Sequence, residues 1–295
     1  MACYHPVKAY RDSSGGVVFV ERGDLVNTLW LPCGRCPGCR LERSRQWSVR
    51  IQHESSLYER SAFATLTYSD EFVPTDGSLA YSHYQKFMRR VREKFGPTRF
   101  FMCGEYGEDK LRPHFHAGLF GLWPYDAKPW RKGEYGHMNY RSGLLESCWK
   151  LGNVEFGILC QQSAAYMARY TFKKVTGDKA DVHYEGYDVE TGELVHRVPE
   201  FCHMSLRPGI GARWFAKYAS DVFPHDRVVM RGVVGKPPRY YDILLKRSDP
   251  VMLEVVQQER IMAAAKLGGV DTTEERLAVR EKVTEARIAH YKRKL

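Results

Sequence analysis

His114-Phe115-His116 is the segment of this chain whose residue types and spacing point most directly to chemistry. In a strand, residues i and i+2 share a face, so the two imidazoles point together while Phe115 turns into the core. Two imidazoles side by side on a stiff strand make a pair of metal ligands. A third ligand is needed, and Glu105, in Gly104-Glu105-Tyr106-Gly107, ends the preceding strand of the same expected hairpin. An antiparallel pairing returns Glu105 to the histidines, with Glu108 in the loop as the alternative. A bare His-x-His is most often two surface histidines, so its weight rests on what accompanies it.

Two further groups accompany it. Tyr166 and Tyr170 are spaced i, i+4, which on a helix puts both phenols on one face with Cβ atoms about 5–6 Å apart; Lys173 and Lys174 follow within a turn or so. Aromatic residues at helical spacing are usually core, so a nucleophilic role for these phenols depends on a metal site beside them. The second group is Cys33-Gly34-Arg35-Cys36-Pro37-Gly38-Cys39. In a reducing compartment clustered thiols bind metal more often than they form disulfides. The C-x2-C spacing lets thiolates face one tetrahedral ion at about 2.3 Å, with Cys3 the natural fourth ligand and His5 the second choice. Cys3, Cys33, Cys36 and Cys39 are therefore candidates for a structural zinc; an iron–sulfur cluster fits less well, because the run lacks a nearby fourth Cys-Pro. Cys103, Cys148, Cys160 and Cys202 read as small buried hydrophobes.

The elements that must position these groups follow from periodicity. Residues 1–40, rich in Gly, Pro and Cys, are expected to be irregular and clipped by metal. Leu41, Trp47 and Ile51 mark an amphipathic helix to about Glu59, and Ala62–Tyr68 a strand. A basic helix over Ser82–Lys94, with Ser82 as N-cap, ends at Gly96-Pro97. Strands are predicted over Thr98–Glu105, Pro113–Gly121 and Val154–Leu159, and helices over Leu144–Lys150, Gln161–Lys174 and Ala212–Val222. Residues 177–200 read as an exposed loop or hairpin, and a charged helical tail runs from about Asp249. This mixture favours an α+β chain built on an antiparallel sheet. Three segments result: a Cys-rich cap (1–45), a catalytic domain (46–245) and the tail (246–295).

Composition narrows the partner. The 295 residues carry 45 Lys+Arg against 35 Asp+Glu, a formal charge of +10, which favours a polyanion such as nucleic acid. Arg89, Arg90, Arg92 and Lys94 on the basic helix, Arg169, and the loop with Lys128, Arg131 and Lys132 are candidate DNA contacts. No apolar stretch reaches about 18 residues, so a membrane span is not expected. The first residues lack the apolar centre of a signal peptide, and an intracellular, non-secreted protein is expected.

Taken together, Glu105, His114-Phe115-His116 and Tyr166-x3-Tyr170 resemble the HUH endonuclease superfamily that initiates rolling-circle replication. Phe63-Ala64-Thr65-Leu66-Thr67-Tyr68 resembles its first motif. The cysteine cluster, Gly104-Glu105-Tyr106-Gly107, Arg112-Pro113-His114-Phe115-His116 and Arg207-Pro208-Gly209-Ile210-Gly211 resemble, more narrowly, replication initiators of gokushovirus-like microviruses, small single-stranded DNA phages. The resemblance covers roughly residues 1–245. It implies an RRM-like sheet with the histidine strand central and the tyrosine helix across its metal face. It also implies a divalent ion, Mn2+ or Mg2+, held by Glu105, His114 and His116. Tyr166 or Tyr170, helped by Lys173 or Lys174, would nick single-stranded or locally unwound origin DNA and become linked to its 5′-phosphate. A 3′-OH is left for synthesis, and the ends are later rejoined. Host helicase and polymerase would be the partners, in the bacterial cytoplasm. The competing readings are an HUH relaxase or transposase, a metallohydrolase, and a non-catalytic zinc-containing DNA-binding protein.

Overall fold

Alternation of apolar and small polar side chains is strongest in the three segments that carry or flank the histidines, and they form the middle of a sheet. The computed structural model describes residues 3–107, 111–133, 136–169, 179–266 and 272–292. The chain divides into two compact units, Ser44–Pro250 and Met1–Arg43 with Val251–Leu295.

In the first of these, β4 (Ala62–Tyr68), β5 (Arg99–Tyr106), β6 (Pro113–Phe120), β7 (Lys128–Lys132), β8 (Met138–Arg141), β9 (Gly152–Ile158) and β12 (Phe201–Met204) join in a seven-stranded sheet of order β12-β5-β6-β4-β9-β8-β7. Every pairing is antiparallel. The fold is thus α+β, and the histidine strand β6 lies inside the sheet between β5 and β4. One face carries Ala64, Leu66, Met102, Phe115, Ala117 and Phe156, all fully or nearly fully buried. They pack against α2 (Tyr81–Phe95), through Tyr84, Phe87 and Val91, and α3 (Gly143–Trp149), through Leu145 and Trp149. The opposite face carries Phe101, Cys103 and Phe120, covered by Ile51 of α1 (Pro37–Ser55) and Ala164 and Met167 of α4 (Gln161–Arg169). Period-2 alternation therefore sends Phe115 to one core and the histidines to the other face.

The remaining elements of this unit are α5 (Lys179–Tyr184), the hairpin β10 (Glu185–Tyr187)–β11 (Leu194–His196), α6 (Ala212–Val222), the hairpin β13 (Val228–Met230)–β14 (Val233–Gly235) and α7 (Arg239–Ser248). The other unit holds β1 (Val7–Asp12), β2 (Val17–Val18) and β3 (Leu25–Leu31) in an antiparallel sheet of order β2-β1-β3, together with the helices α8 (Pro250–Lys266) and α9 (Glu274–Lys292).

Several local expectations are corrected. Residues 1–40 are not irregular: β1–β3 are largely exposed, so polar and apolar residues alternate too weakly to mark them as strands. The segment around Lys128–Lys132 is an edge strand, exposed at every position, which leaves no buried pattern to read. α2 starts at Tyr81 with Ala80 rather than Ser82 at its N-cap. There Tyr81 stacks on His203 at 3.9 Å, so a tertiary contact sets the helix start instead of a side-chain cap. α7 begins directly after Pro237-Pro238, where the sequence showed only a connection. Cys160 and Cys202 are only partly buried, unlike Cys103 and Cys148.

Candidate active site

The register of β5 with β6 sets Glu105 opposite His114, and Cys103 opposite His116. Glu105 Oε2 lies 3.3 Å from His114 Nε2 and 3.2 Å from His116 Nε2. One ligand atom from each of the three residues falls within 4.8 Å of the others. Glu105 is 4 % exposed and His116 6 %, while His114 is half-buried at the rim. Glu108 and Asp109 lie outside the described residues, and Glu105 is the carboxylate that meets the histidines.

Both imidazoles are oriented from behind. His114 Nδ1 is 3.2 Å from the Arg112 carbonyl oxygen, which can only accept, so Nδ1 carries the proton and Nε2 the lone pair. His116 Nδ1 is 3.0 Å from Thr65 Oγ1 on β4, directly across the register from it. Arg112 itself donates to Asp70 Oδ1 at 2.6 Å and to the Tyr68 carbonyl at 2.8 Å, tying the start of β6 to the end of β4. Two imidazole nitrogens and one carboxylate, with the rear nitrogens engaged, are a donor set that fits a divalent metal. Thr65 and Arg112 were not singled out as site residues from the sequence; their signal was present only as their place in the strand motifs.

Tyr166 comes to this site from α4. Its ring meets the His116 ring edge-on, centroids 5.1 Å apart and planes at 89°, and packs at 6.0 Å against Phe63. Gly118 allows the approach. A Cβ there would stand 3.0 Å from Met167 Cε and 3.2 Å from Leu159 Cδ2, so the bare backbone of β6 lets α4 settle onto it. Tyr170, Lys173 and Lys174 lie outside the described residues, and Arg169 is exposed at the end of α4.

Beside the triad, on the same sheet face, an open groove of about 760 Å³ runs over β4, β9, β8 and β7. Thr65, Thr67, Asn139, Asn153, Lys132 and Arg141 line it, with Arg131 chelating Glu155 at 2.7 and 2.9 Å. Burial pushes the Glu155 carboxyl up, but Arg131 and Asn139 together outweigh it and hold it below the usual carboxylate range. Trp130, 54 % exposed, stands nearby under the Arg141 guanidinium at 4.2 Å.

The basic residues of α2 are placed differently. α2 covers the face opposite the triad, and Arg90 donates to the Cys148 carbonyl, Arg92 to the Thr98 carbonyl and Lys94 to Ser147 Oγ, while Arg89 is near Glu93. They are not brought together with the histidines. Arg207–Gly211 is a scaffold motif in the geometry seen here. Gly211, at φ 84°, starts α6 and donates to the fully buried Glu54 at 2.8 Å, while Arg99 bridges Glu54 and the Pro208 carbonyl, each at 2.7 Å.

Comparison with known proteins bears on the same segment. The model of a family described as replication-associated protein ORF2 matches residues 61–175, the stretch from β4 through α4 that carries Thr65, Glu105, both histidines and Tyr166. The replication-associated protein VP4 of Bdellovibrio phage phiMH2K is 32 % identical over 263 residues, covering 85 % of this chain and 79 % of its own. The chain belongs to this family of phage replication-associated proteins. A second member, the replication-associated protein ORF2 of Spiroplasma virus 4, is 28 % identical over 88 % of this chain and 86 % of its own. The protein ORF4 of Chlamydia phage 1 is 28 % identical over 74 % of this chain and 54 % of its own. No solved structure matches. Among the described residues of this family member, no helix is long and apolar enough to cross a membrane.

Proposed function

We propose that this chain is an HUH-type replication initiator: a metal-dependent nickase and strand-transferase acting on a single-stranded or unwound phage origin inside the host cell. The observation that carries the reading is the edge contact of Tyr166 with His116, a phenol set beside a carboxylate–imidazole triad, in a chain of replication-associated relatives.

Glu105, His114 and His116 would hold the divalent ion, whose chemistry is to neutralise and orient the scissile phosphate. Two imidazoles and a carboxylate suit Mn2+ better than Mg2+, which prefers oxygen. Tyr166 Oη attacks phosphorus; the Oη–P bond forms as the P–O3′ bond breaks. The phenolic proton passes to solvent, and the departing 3′ oxygen takes one up as 3′-OH. The phosphotyrosine retains the bond energy, so the ends can be rejoined by the reverse transfer. Tyr170 is proposed as the second nucleophile, with Lys173 or Lys174 favouring the phenolate. The groove along β4, β9, β8 and β7 offers amides, hydroxyls and cations to a phosphate backbone on the triad's own face, which makes it a better DNA path than α2. Relaxase or transposase chemistry would use the same site; relatives named for replication favour an initiator, extended by host helicase and polymerase.

The test is incubation with labelled single-stranded phage origin DNA and Mn2+, followed by a denaturing gel. The wild type should give a covalent adduct. Combined Tyr166→Phe and Tyr170→Phe should abolish it, and His114→Ala with His116→Ala should abolish it while sparing most DNA affinity. An adduct that survives the double tyrosine substitution would rule the reading out.

A further inference from the structure

The cysteine cluster is untouched by that chemistry. Cys3 follows the N-terminus, Cys33 and Cys36 lie on the loop after β3, and Cys39 sits in the first turn of α1. Their four sulfurs lie within 4.8 Å of one another, and Cys3 Sγ is 3.9 Å from Cys36 Sγ. A tetrahedral ion with metal–sulfur bonds near 2.3 Å holds its ligand sulfurs about 3.8 Å apart. In a four-iron cluster each cysteine binds a different iron, so the sulfurs stand farther apart than they do here. Backbone N–H groups already point at the sulfurs: Cys33 N–H donates to Cys3 Sγ at 3.2 Å, Cys36 N–H to Cys33 Sγ at 3.4 Å and Tyr4 N–H to Cys36 Sγ at 3.4 Å. Such donors stabilise thiolates that share a cation.

The unit that contains the cluster has little else to hold it. Beyond the cysteines, the buried apolar side chains among its described residues are Ala9, Tyr10, Leu253, Val256 and Leu277. The two residues after Cys3 reach α9: Tyr4 Oη is 2.7 Å from Thr284 Oγ1, and His5 Nε2 is 2.7 Å from Glu281 Oε2. Thr284 and Glu281 are three apart on one helix face.

We propose that Cys3, Cys33, Cys36 and Cys39 bind a single zinc ion as a structural tetrathiolate, and that this ion fixes residues 3–5 in place to dock α9. The site substitutes metal–ligand bonds for a hydrophobic core too small to organise this unit. It is separate from the triad and does not depend on the nickase reading.

The test uses the full chain carrying His114→Ala and His116→Ala, so that the triad does not contribute metal. Elemental analysis after dialysis should give one zinc per chain, falling at least tenfold with Cys33→Ser and Cys36→Ser. Replacement by Co2+ should give thiolate-to-cobalt charge transfer together with the visible bands of a tetrahedral ion. Hydrogen exchange should show that stripping the metal raises exchange in α9 and residues 4–5 while β4–β6 stay protected. Absence of both bound zinc and the cobalt–thiolate bands would overturn the proposal, as would iron with acid-labile sulfide or disulfides found by mass spectrometry. Unchanged exchange in α9 after metal removal would overturn the docking claim. Should the serine variant fail to fold, the zinc count and cobalt spectrum of the cysteine-intact chain still decide.

Discussion

Thr65 shows how a residue with no acid, base or nucleophile of its own can set a site's competence. Its hydroxyl, 3.0 Å from His116 Nδ1, fixes the ring's rotation and leaves Nε2 turned toward Glu105. Removing such a rear partner usually weakens a metal site about 10–100-fold. Thr65→Val keeps shape and β-propensity and deletes only the hydrogen bond. The variant should therefore fold normally and need about 10–100 times more Mn2+ for half-maximal adduct formation, while Thr65→Ser stays near wild type. An unchanged Mn2+ requirement would remove Thr65 from the site. The ligands themselves were legible in the sequence, because His-x-His spacing on a strand dictates a shared face whatever the fold around it. The partners behind them were not, since nothing in the linear order says which strand pairs with β6.

At the scale of elements, the meeting of α4 with β6 brings the phenol to the imidazoles. Gly118 leaves only a thin layer there, with Met167 and Leu159 filling it. An added methyl would press mainly on the flexible tip of Met167, so Gly118→Ala should be nearly silent. Gly118→Leu overfills the layer and should cost about 1–3 kcal/mol of stability. It should also reduce adduct formation by more than the loss of folded protein explains, because α4 must shift with Tyr166. Urea melts and adduct yield on the same preparations separate the two effects; a stability loss without an excess loss of adduct would show that the helix position is unimportant. The helix and strand were each visible in the sequence, whereas their contact depended on sheet order.

At the scale of the whole molecule, one buried titration couples folding to pH. His53 stacks on Trp214 at 3.5 Å, and its Nδ1 lies 2.7 Å from Tyr241 Oη, so helices α1, α6 and α7 converge on it. Burial pushes its pKa down to about 4. Between that value and the ordinary one near 6.5, the unfolded chain binds a proton that the folded chain refuses, so stability must rise with pH across this window. The contribution is fully present above about pH 6.5 and should fall by about 2–3 kcal/mol on acidification to about pH 4.5. Urea unfolding at pH 7 and 4.5 checks this. His53→Gln should lose markedly less stability on acidification than the wild type; an equal loss in both would place the pH dependence elsewhere.

The sequence by itself determined the pieces governed by local rules. Period-2 alternation fixed β4, β5 and β6 and the shared face of His114 and His116; the Gly96-Pro97 break ended α2. Charge favoured a polyanionic partner, and cysteine spacing marked a metal cluster. Only the tertiary structure decided that Thr65 stands behind His116, that the basic helix α2 covers the face away from the triad, and that the exposed edge hairpin β7–β8 walls a groove on the triad's side. These are non-local facts. Sheet order and register bring together residues separated by tens of positions, and an exposed edge strand carries no burial pattern from which its place could be inferred.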